Sequence, residues 1–227
     1  LTIARAQQAH SPVRMVASVL ACAVLLVDGD EFGRLRAHDL AVALAAHRAQ
    51  GGAPVFAISA TAGTTNLGMV DDLAGLADVA EQEGLWLHAD GAYGGAAVLT
   101  VTGREALAGI DRVQSMVVDP HKWLFAGYDC CALLYRDVRI ARAAFTQTAE
   151  YLEAVEVSAD QWNPSDYAVH LTRRARGVPF WFSLAAHGTD AYRDAVDSCL
   201  ATARALTAAV QAASHLELFA PTTLSIV

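Results

Sequence analysis

The run DPHKWLFAGYDCCALLY, residues 119–135, sets a lysine between a histidine and a tryptophan. Among apolar and aromatic neighbours such as Trp123 and Phe125, a lysine amine can become nucleophilic enough to form a Schiff base with a carbonyl compound. Pro120 keeps Asp119 out of the helical region, so Asp119 is expected to end a strand and His121-Lys122 to sit on the turn that follows. The same placement suits a lysine that lays its stem along Trp123 and keeps its charge in water. A second run, LHADGAYGG at residues 87–95, places His88 and Asp90 two apart and hence on one face of a strand. Gly91, Gly94 and Gly95 allow close approach of backbone or of a flat ligand. A carboxylate buried at a strand end needs a cation or hydrogen-bond donors, and a protonated pyridine nitrogen is one such partner. A helix cap, or a metal shared with His88 or His121, are the other roles open to Asp90 at this point.

Two weaker signals accompany these. His10 in QQAHSP puts an imidazole near a helix start, where histidines also serve as caps or core-edge residues. TAGTTNLG, residues 61–68, offers the hydroxyls of Thr64 and Thr65 between two glycines, and it serves equally as a plain turn. Neither GxGxxG nor GxxxxGK[ST] occurs, so the common dinucleotide and P-loop sites do not apply. A lysine, a strand-end carboxylate and an imidazole together suit a ring-shaped electrophilic cofactor. Lys122 would hold it covalently, Asp90 would keep its ring nitrogen protonated as an electron sink, and an imidazole would stack on one face.

The elements that must position these residues alternate. Ser11-Pro12 begins a helix through Met15 and Val19, and AVLLV, residues 23–27, has the continuous apolar character of a covered strand. LRAHDLAVALAAHRAQ is a helix closed by Gly51-Gly52, and PVFAISA, residues 54–60, is a strand. Asp71 or Asp72 caps a helix carrying Leu73, Leu76, Ala77 and Ala80. LWLHAD, MVVD and CCALLY, residues 85–90, 116–119 and 130–135, complete the strands. The pattern predicts an α/β domain with a mainly parallel sheet flanked by helices, whose ligands sit at the carboxyl ends of the strands. No strand is expected before the first helix. Beyond Arg139 the chain becomes helical, with further strands expected around HLELFA and in the closing TTLSIV. Residues 1–175 are read as a large domain and 176–227 as a helical connection into a smaller C-terminal domain. Both ends lack closing features, and the large domain is expected to begin before residue 1.

Composition removes several classes of function. The 227 residues are 54% hydrophobic and 18% charged, which excludes a disordered or fibrous chain. A net charge of −8 and dispersed arginines argue against nucleic acid as partner. Met15 to Val27, 13 residues, falls short of the roughly 20 needed to cross a bilayer, and no leader pattern opens the chain, so a cytoplasmic protein away from membranes is expected. Cys22, Cys130, Cys131 and Cys199 form no CxxC and read as small buried hydrophobes, with neither disulfides nor a metal implied. The low charge density suggests surface covered by partner subunits or by further sequence of the same protein.

The order QQAHS, TAGTT, HADGAYGG and DPHKW resembles the group II pyridoxal 5′-phosphate decarboxylases, nearest in motif to the aromatic L-amino acid branch, and the similarity runs from His10 to Leu224. The resemblance implies a type I PLP-dependent transferase-like large domain and an amino acid substrate. It implies Lys122 as the Schiff-base lysine, Asp90 as partner of the pyridine nitrogen and His10 as the stacked imidazole. Ala92 would pack on the opposite ring face, with Thr65 and His121 lining the site. Tyr151 would be the loop tyrosine that helps protonate the substrate carbon, and it would reach the neighbouring site of a homodimer. HLTRRARG, residues 170–177, matches the family's arginine-bearing segment without distinguishing Arg173, Arg174 and Arg176. Asp119 departs from the asparagine usual in the aromatic branch, and the phosphate-binding loop of the family would precede residue 1. Aldehyde-forming decarboxylation, transamination on the same fold, and a noncatalytic assembly partner are the alternatives.

Overall fold

The computed structural model describes residues 1–146 and 162–227. Six short runs rich in Ala, Val, Leu and Ile form one sheet: β1 Thr2–Ala6, β2 Ala23–Val27, β3 Val55–Thr61, β4 Trp86–Asp90, β5 Ser115–Val118 and β6 Ala132–Tyr135. Their order is β2-β1-β3-β4-β5-β6, and every pair is parallel except β5 with β6. The helices are α1 Pro12–Val19, α2 Ala37–Ala49, α3 Leu73–Glu83, α4 Val101–Ala106, α5 Val138–Phe145 and α6 Gly177–Ala212. The mainly parallel α/β architecture expected from the alternation is present.

Local chemistry sets the boundaries. Pro12 occupies the first turn of α1, where its missing N–H costs nothing. Asp72 caps α3 by accepting from Gly75 N at 3.0 Å, and Gly84 ends that helix in the left-handed region at φ 66°. Leu40 and Leu44 of α2 and Leu76, Ala77 and Ala80 of α3 are buried with Ile58, Leu87 and Ala89 of the sheet in one core. Each fully buried leucine contributes about 1.5–3 kcal/mol relative to exposure.

Three expectations are corrected. A strand does precede the first helix. β1 lies between β2 and β3, although its TIARA sequence carries Thr2 and Arg5, because both polar side chains reach backbone carbonyls and so tolerate burial. HLELFA forms no strand: Leu216 and Phe219 are exposed, and no partner strand among the described residues satisfies its backbone. TTLSIV is likewise irregular; it packs back on the sheet edge, with Leu224 buried and Ser225 bonded to Tyr93. The two helical stretches beyond Arg139 are the halves of α6, interrupted at Gly188 (φ 74°, ψ 158°). Among the described residues, no helix is long and apolar enough to cross a membrane.

Candidate active site

The carboxyl ends of β1, β3, β4 and β5 share one edge of the sheet, because these four strands are parallel. Their connecting turns carry His10, Thr61–Thr65, Asp90–Ala92 and Asp119–Lys122. Asp90 ends β4 in register with Thr61 of β3 and Val117 of β5. Its Oδ1 accepts from Ala92 N at 3.1 Å, and among the described residues no salt bridge engages it. Thr61 Oγ1, across from Asp90, is buried with no hydrogen-bond partner among the described residues. Below Asp90 on the same face, His88 Nδ1 meets Ser115 Oγ at 2.8 Å, and the Trp86 indole N–H donates to that hydroxyl at 2.9 Å. Burial, partly opposed by the charge of Asp90, lowers the His88 pKa. His88 is therefore held by a serine, and no metal-binding cluster occurs among the described residues.

The turn after β5 forms as Pro120 requires. Lys122 N donates to Asp119 O at 2.9 Å and Ala126 N to Pro120 O at 2.9 Å. Phe125 lies at φ 55°, an uncommon conformation for an aromatic residue. Lys122 Nζ is 2.9 Å from Asp119 Oδ2, with the lysine side chain 44% exposed. His121 stands 3.9 Å from the same carboxylate through Nε2, and its Nδ1 is 2.6 Å from the carbonyl of Cys130. Lys122 is thus half-exposed and ion-paired, not sunk beside both Trp123 and Phe125. Trp123 turns inward, buried and stacked on Tyr93 at 5.0 Å between centroids, Phe125 faces solvent, and the nearest charged partner of the amine is Asp119. Of the four cysteines expected to be buried only Cys130 is, and Cys131 is exposed; partial desolvation of the Cys131 thiol, and then the neighbouring Asp119 carboxylate, push its pKa up to about 12.

Two bonds tie the turn after β4 to β5 and the turn that follows it. Gly91 N donates to Val117 O at 3.0 Å and Asp119 N to Ala92 O at 3.1 Å. The segment that carries Asp90 and Ala92 is thereby bonded to the one that leads into His121 and Lys122. His10 is exposed at the same edge, on the far side of β3. Thr65 is exposed, whereas Thr64 is the buried threonine of the turn and accepts from Met69 N through Oγ1 at 3.0 Å. Tyr151 lies outside the described residues. Of the three arginines, Arg174 and Arg176 share Asp129 at 2.8 and 3.1 Å, while Arg173 donates to Pro164 O. The Arg176 hydrogen bond is the main cause that holds the Asp129 carboxyl down to about 2.

Sequence reasoning missed two residues that shape this edge. Asp71, grouped with Asp72 as a helix cap, is buried and accepts from Leu35 N at 2.7 Å and Thr61 N at 2.6 Å. The acidic doublet was the available signal, since a single cap needs only one carboxylate. Tyr93 bonds Ser225 through its hydroxyl and stacks on Trp123; it lay inside HADGAYGG but carried no chemistry of its own.

A half-buried strand-end carboxylate with unused acceptor capacity, an orphaned buried hydroxyl beside it and a half-exposed lysine amine suit a cofactor with a cationic ring nitrogen and an aldehyde. Comparison with known proteins agrees. The family model "Pyridoxal-dependent decarboxylase conserved domain" matches residues 1–227. The chain is 36% identical over 202 residues to an aromatic-L-amino-acid decarboxylase of Bacillus atrophaeus, covering 88% of this chain and 42% of that protein. It is 31% identical over 223 residues to the acidic amino acid decarboxylase GADL1 of Xenopus tropicalis, covering 96% and 43%. The solved structure of Oryza sativa TDC with PLP and tryptamine superposes with a TM-score of 0.89 at 27% identity, over 99% of this chain and 46% of that one. Mouse CSAD superposes with a TM-score of 0.86 at 30% identity, over 98% and 46%. The chain thus spans less than half the length of these relatives.

Proposed function

Because the chain belongs to the pyridoxal-dependent decarboxylase family along its full length, we propose that it carries the catalytic edge of an enzyme that converts an L-amino acid to its amine and carbon dioxide. The observation that carries the proposal is the bond from Asp119 N to Ala92 O, which fixes the lysine turn against the aspartate turn at one sheet edge. When bound, pyridoxal phosphate supplies an aldehyde carbon for an amine and a ring that accepts the electron pair released as carbon dioxide leaves. Lys122 would hold the cofactor through its amine, and the Asp119 carboxylate, 2.9 Å away, would accept a hydrogen bond from that amine and orient it. Asp90 would fix the proton on the ring nitrogen, using the carboxylate oxygen that Ala92 N leaves free. His10 would cover one ring face and Ala92 the other, with Thr65 and His121 at the periphery. Tyr151 would help protonate the substrate carbon in the site of the second subunit of a homodimer. Residues 1–175 serve as the large cofactor domain and 176–227 lead into the smaller one, in a cytoplasmic enzyme.

We take the substrate to be aromatic, on the exposed rings of Phe125 and Tyr128 beside the lysine turn. An acidic substrate is the second reading, favoured by Arg174 and Arg176, which give two cations to the single carboxylate of Asp129 in the cleft that Tyr128 and Phe180 line. Lys122 is the chain's only lysine, so borohydride reduction with pyridoxal phosphate followed by peptide mapping tests the assignment directly. The adduct is expected on Lys122, and the Lys122→Ala variant is expected to lose amine formation. Amine production at the parent rate by that variant refutes the proposal. Carbon dioxide release from phenylalanine, tyrosine, tryptophan, glutamate and cysteine sulfinate separates the two substrate classes. Hydrogen peroxide or keto acid among the products would point to the aldehyde-forming or transaminating alternatives.

A further inference from the structure

Arg5 stands in β1, a strand hydrogen-bonded on both sides, and is 9% exposed. Its register partner is Ser59, whose own partner is His88, so its side chain leaves the sheet on the face that carries Asp90. A buried guanidinium normally meets a carboxylate. No ion pair among the described residues involves Arg5. Its Nη1 donates instead to the carbonyls of Ala6 at 3.3 Å and Ala9 at 2.9 Å, and its Nε has no partner there.

Both carbonyls belong to the turn from β1 into α1, which presents His10. The backbone alone closes that turn weakly, through Ala9 N to Ala6 O at 3.4 Å. A planar guanidinium is suited to the task because its fixed fork of donors serves two carbonyls from one side, which an ammonium on a flexible stem does less well. We propose that Arg5 is the positioning residue for His10: it clamps the Ala6–Ala9 turn from beneath and so sets the height of the imidazole over the site. This rests on the assignment of His10 to the cofactor ring made above. Arg5 itself touches neither cofactor nor substrate.

The test compares the pyridoxal-phosphate-reconstituted protein with Arg5→Met, Arg5→Lys, His10→Gln and the Arg5→Met/His10→Gln double variant. Two quantities are read: amide hydrogen exchange in peptides covering residues 6–13 and the β3 and β4 strands, and retention of the cofactor by absorbance. Arg5→Met is expected to raise exchange across 7–13 about tenfold while β3 and β4 keep their protection, and to weaken cofactor retention about tenfold, as fits the loss of a charge-assisted hydrogen bond. In the His10→Gln background the same substitution is expected to change retention by less than about twofold, because no imidazole remains to be placed. Arg5→Lys should fall between parent and Arg5→Met, and it takes the place of Arg5→Met in every comparison if the latter does not fold. A general loss of stability would loosen the strands as well and would act equally in both backgrounds. Unchanged exchange in the turn, or equal losses of retention with and without His10, overturns the proposal. A His10→Gln protein that holds cofactor like the parent fails the assignment of His10 itself, and with it the functional half of the clamp, while the exchange data still report on Arg5 alone.

Discussion

Asp71 offers the sharpest quantitative prediction because its burial and its duty are in conflict. Its carboxylate accepts from Leu35 N at 2.7 Å and Thr61 N at 2.6 Å, and Asp71 N donates to Thr61 O at 2.9 Å. One residue thus fixes the carboxyl end of β3, from which the turn beside Asp90 departs. The two N–H bonds favour the ionised form, but burial outweighs them and pushes the pKa up from 3.8 to about 7. The folded protein therefore keeps a proton that the unfolded chain releases near pH 4. The contribution of Asp71 to stability is fully present below that pH and is lost as pH rises until the folded group ionises near 7. From pH 5 to 7 the loss is two pH units at about 1.36 kcal/mol each, or about 3 kcal/mol as an order of magnitude. Asp71→Asn removes the titration, and its single carbonyl leaves one buried N–H without an acceptor at a cost of about 1–3 kcal/mol. The variant should be less stable than the parent at pH 5 and gain on it by about 3 kcal/mol by pH 8, in urea unfolding of both proteins. Subtracting the two profiles cancels every other titrating group, His88 included. Parallel profiles, or a parent that gains on the variant as pH rises, would refute the balance of burial over hydrogen bonding drawn here.

Three further outcomes are expected. Trp123→Ala, which removes a buried ring stacked on Tyr93, should cost about 3–5 kcal/mol in denaturant unfolding, and Trp123→Phe should cost much less. His88 has its folded pKa lowered by burial, so its contribution is complete above the unfolded value near 6.5 and is lost as pH falls below it. The stability of the parent relative to His88→Gln should accordingly fall between pH 6.5 and 5, as followed by thermal unfolding. Gly94→Ala would bring a Cβ to 2.1 Å from Ala62 O, so the turn beside Asp90 must shift. Misplacement of this kind should lower kcat/KM by about a hundredfold, whereas Gly127→Ala, with nothing within 4 Å of the added carbon, should leave it unchanged.

The strands and the lysine turn were legible because their signals are local. Pro120 and the apolar runs set them, and Val55–Thr61 and Trp86–Asp90 fall within a residue of the expected spans. β1 was not legible, since a strand covered on both sides usually reads as a continuous apolar run, and TIARA does not. What admits Thr2 and Arg5 is a set of carbonyls at Ala53, Ala6 and Ala9, and the carbonyl of Ala53 comes from a segment 51 residues away. The division of labour between Asp71 and Asp72 was hidden for the same reason: the Leu35 amide that employs Asp71 is 36 residues distant. The placement of Trp123 depended on Tyr93, and only the folded chain shows that the two rings satisfy each other.

The edge so built is unevenly held, and the unevenness suits its proposed chemistry. Asp90 is fixed through Gly91 N to Val117 O and Asp119 N to Ala92 O, and the Tyr93–Trp123 stack braces both turns from the core side. The distance from Asp90 to the start of the lysine turn is thus set by backbone bonds that no side-chain rotation disturbs. The amine of Lys122 is restrained far less. Its ion pair with Asp119 is 2.9 Å long, but the lysine side chain is 44% exposed, and a pair so open to water is worth only about 0–1 kcal/mol. On the proposed assignment, a carboxylate that would keep one direction stands on rigid backbone, and an amine that would first hold a cofactor and then give way to a substrate stands on a contact weak enough to exchange. A buried Lys122–Asp119 pair would have reversed that balance, since breaking it would leave a charge stranded in a poorly solvated site.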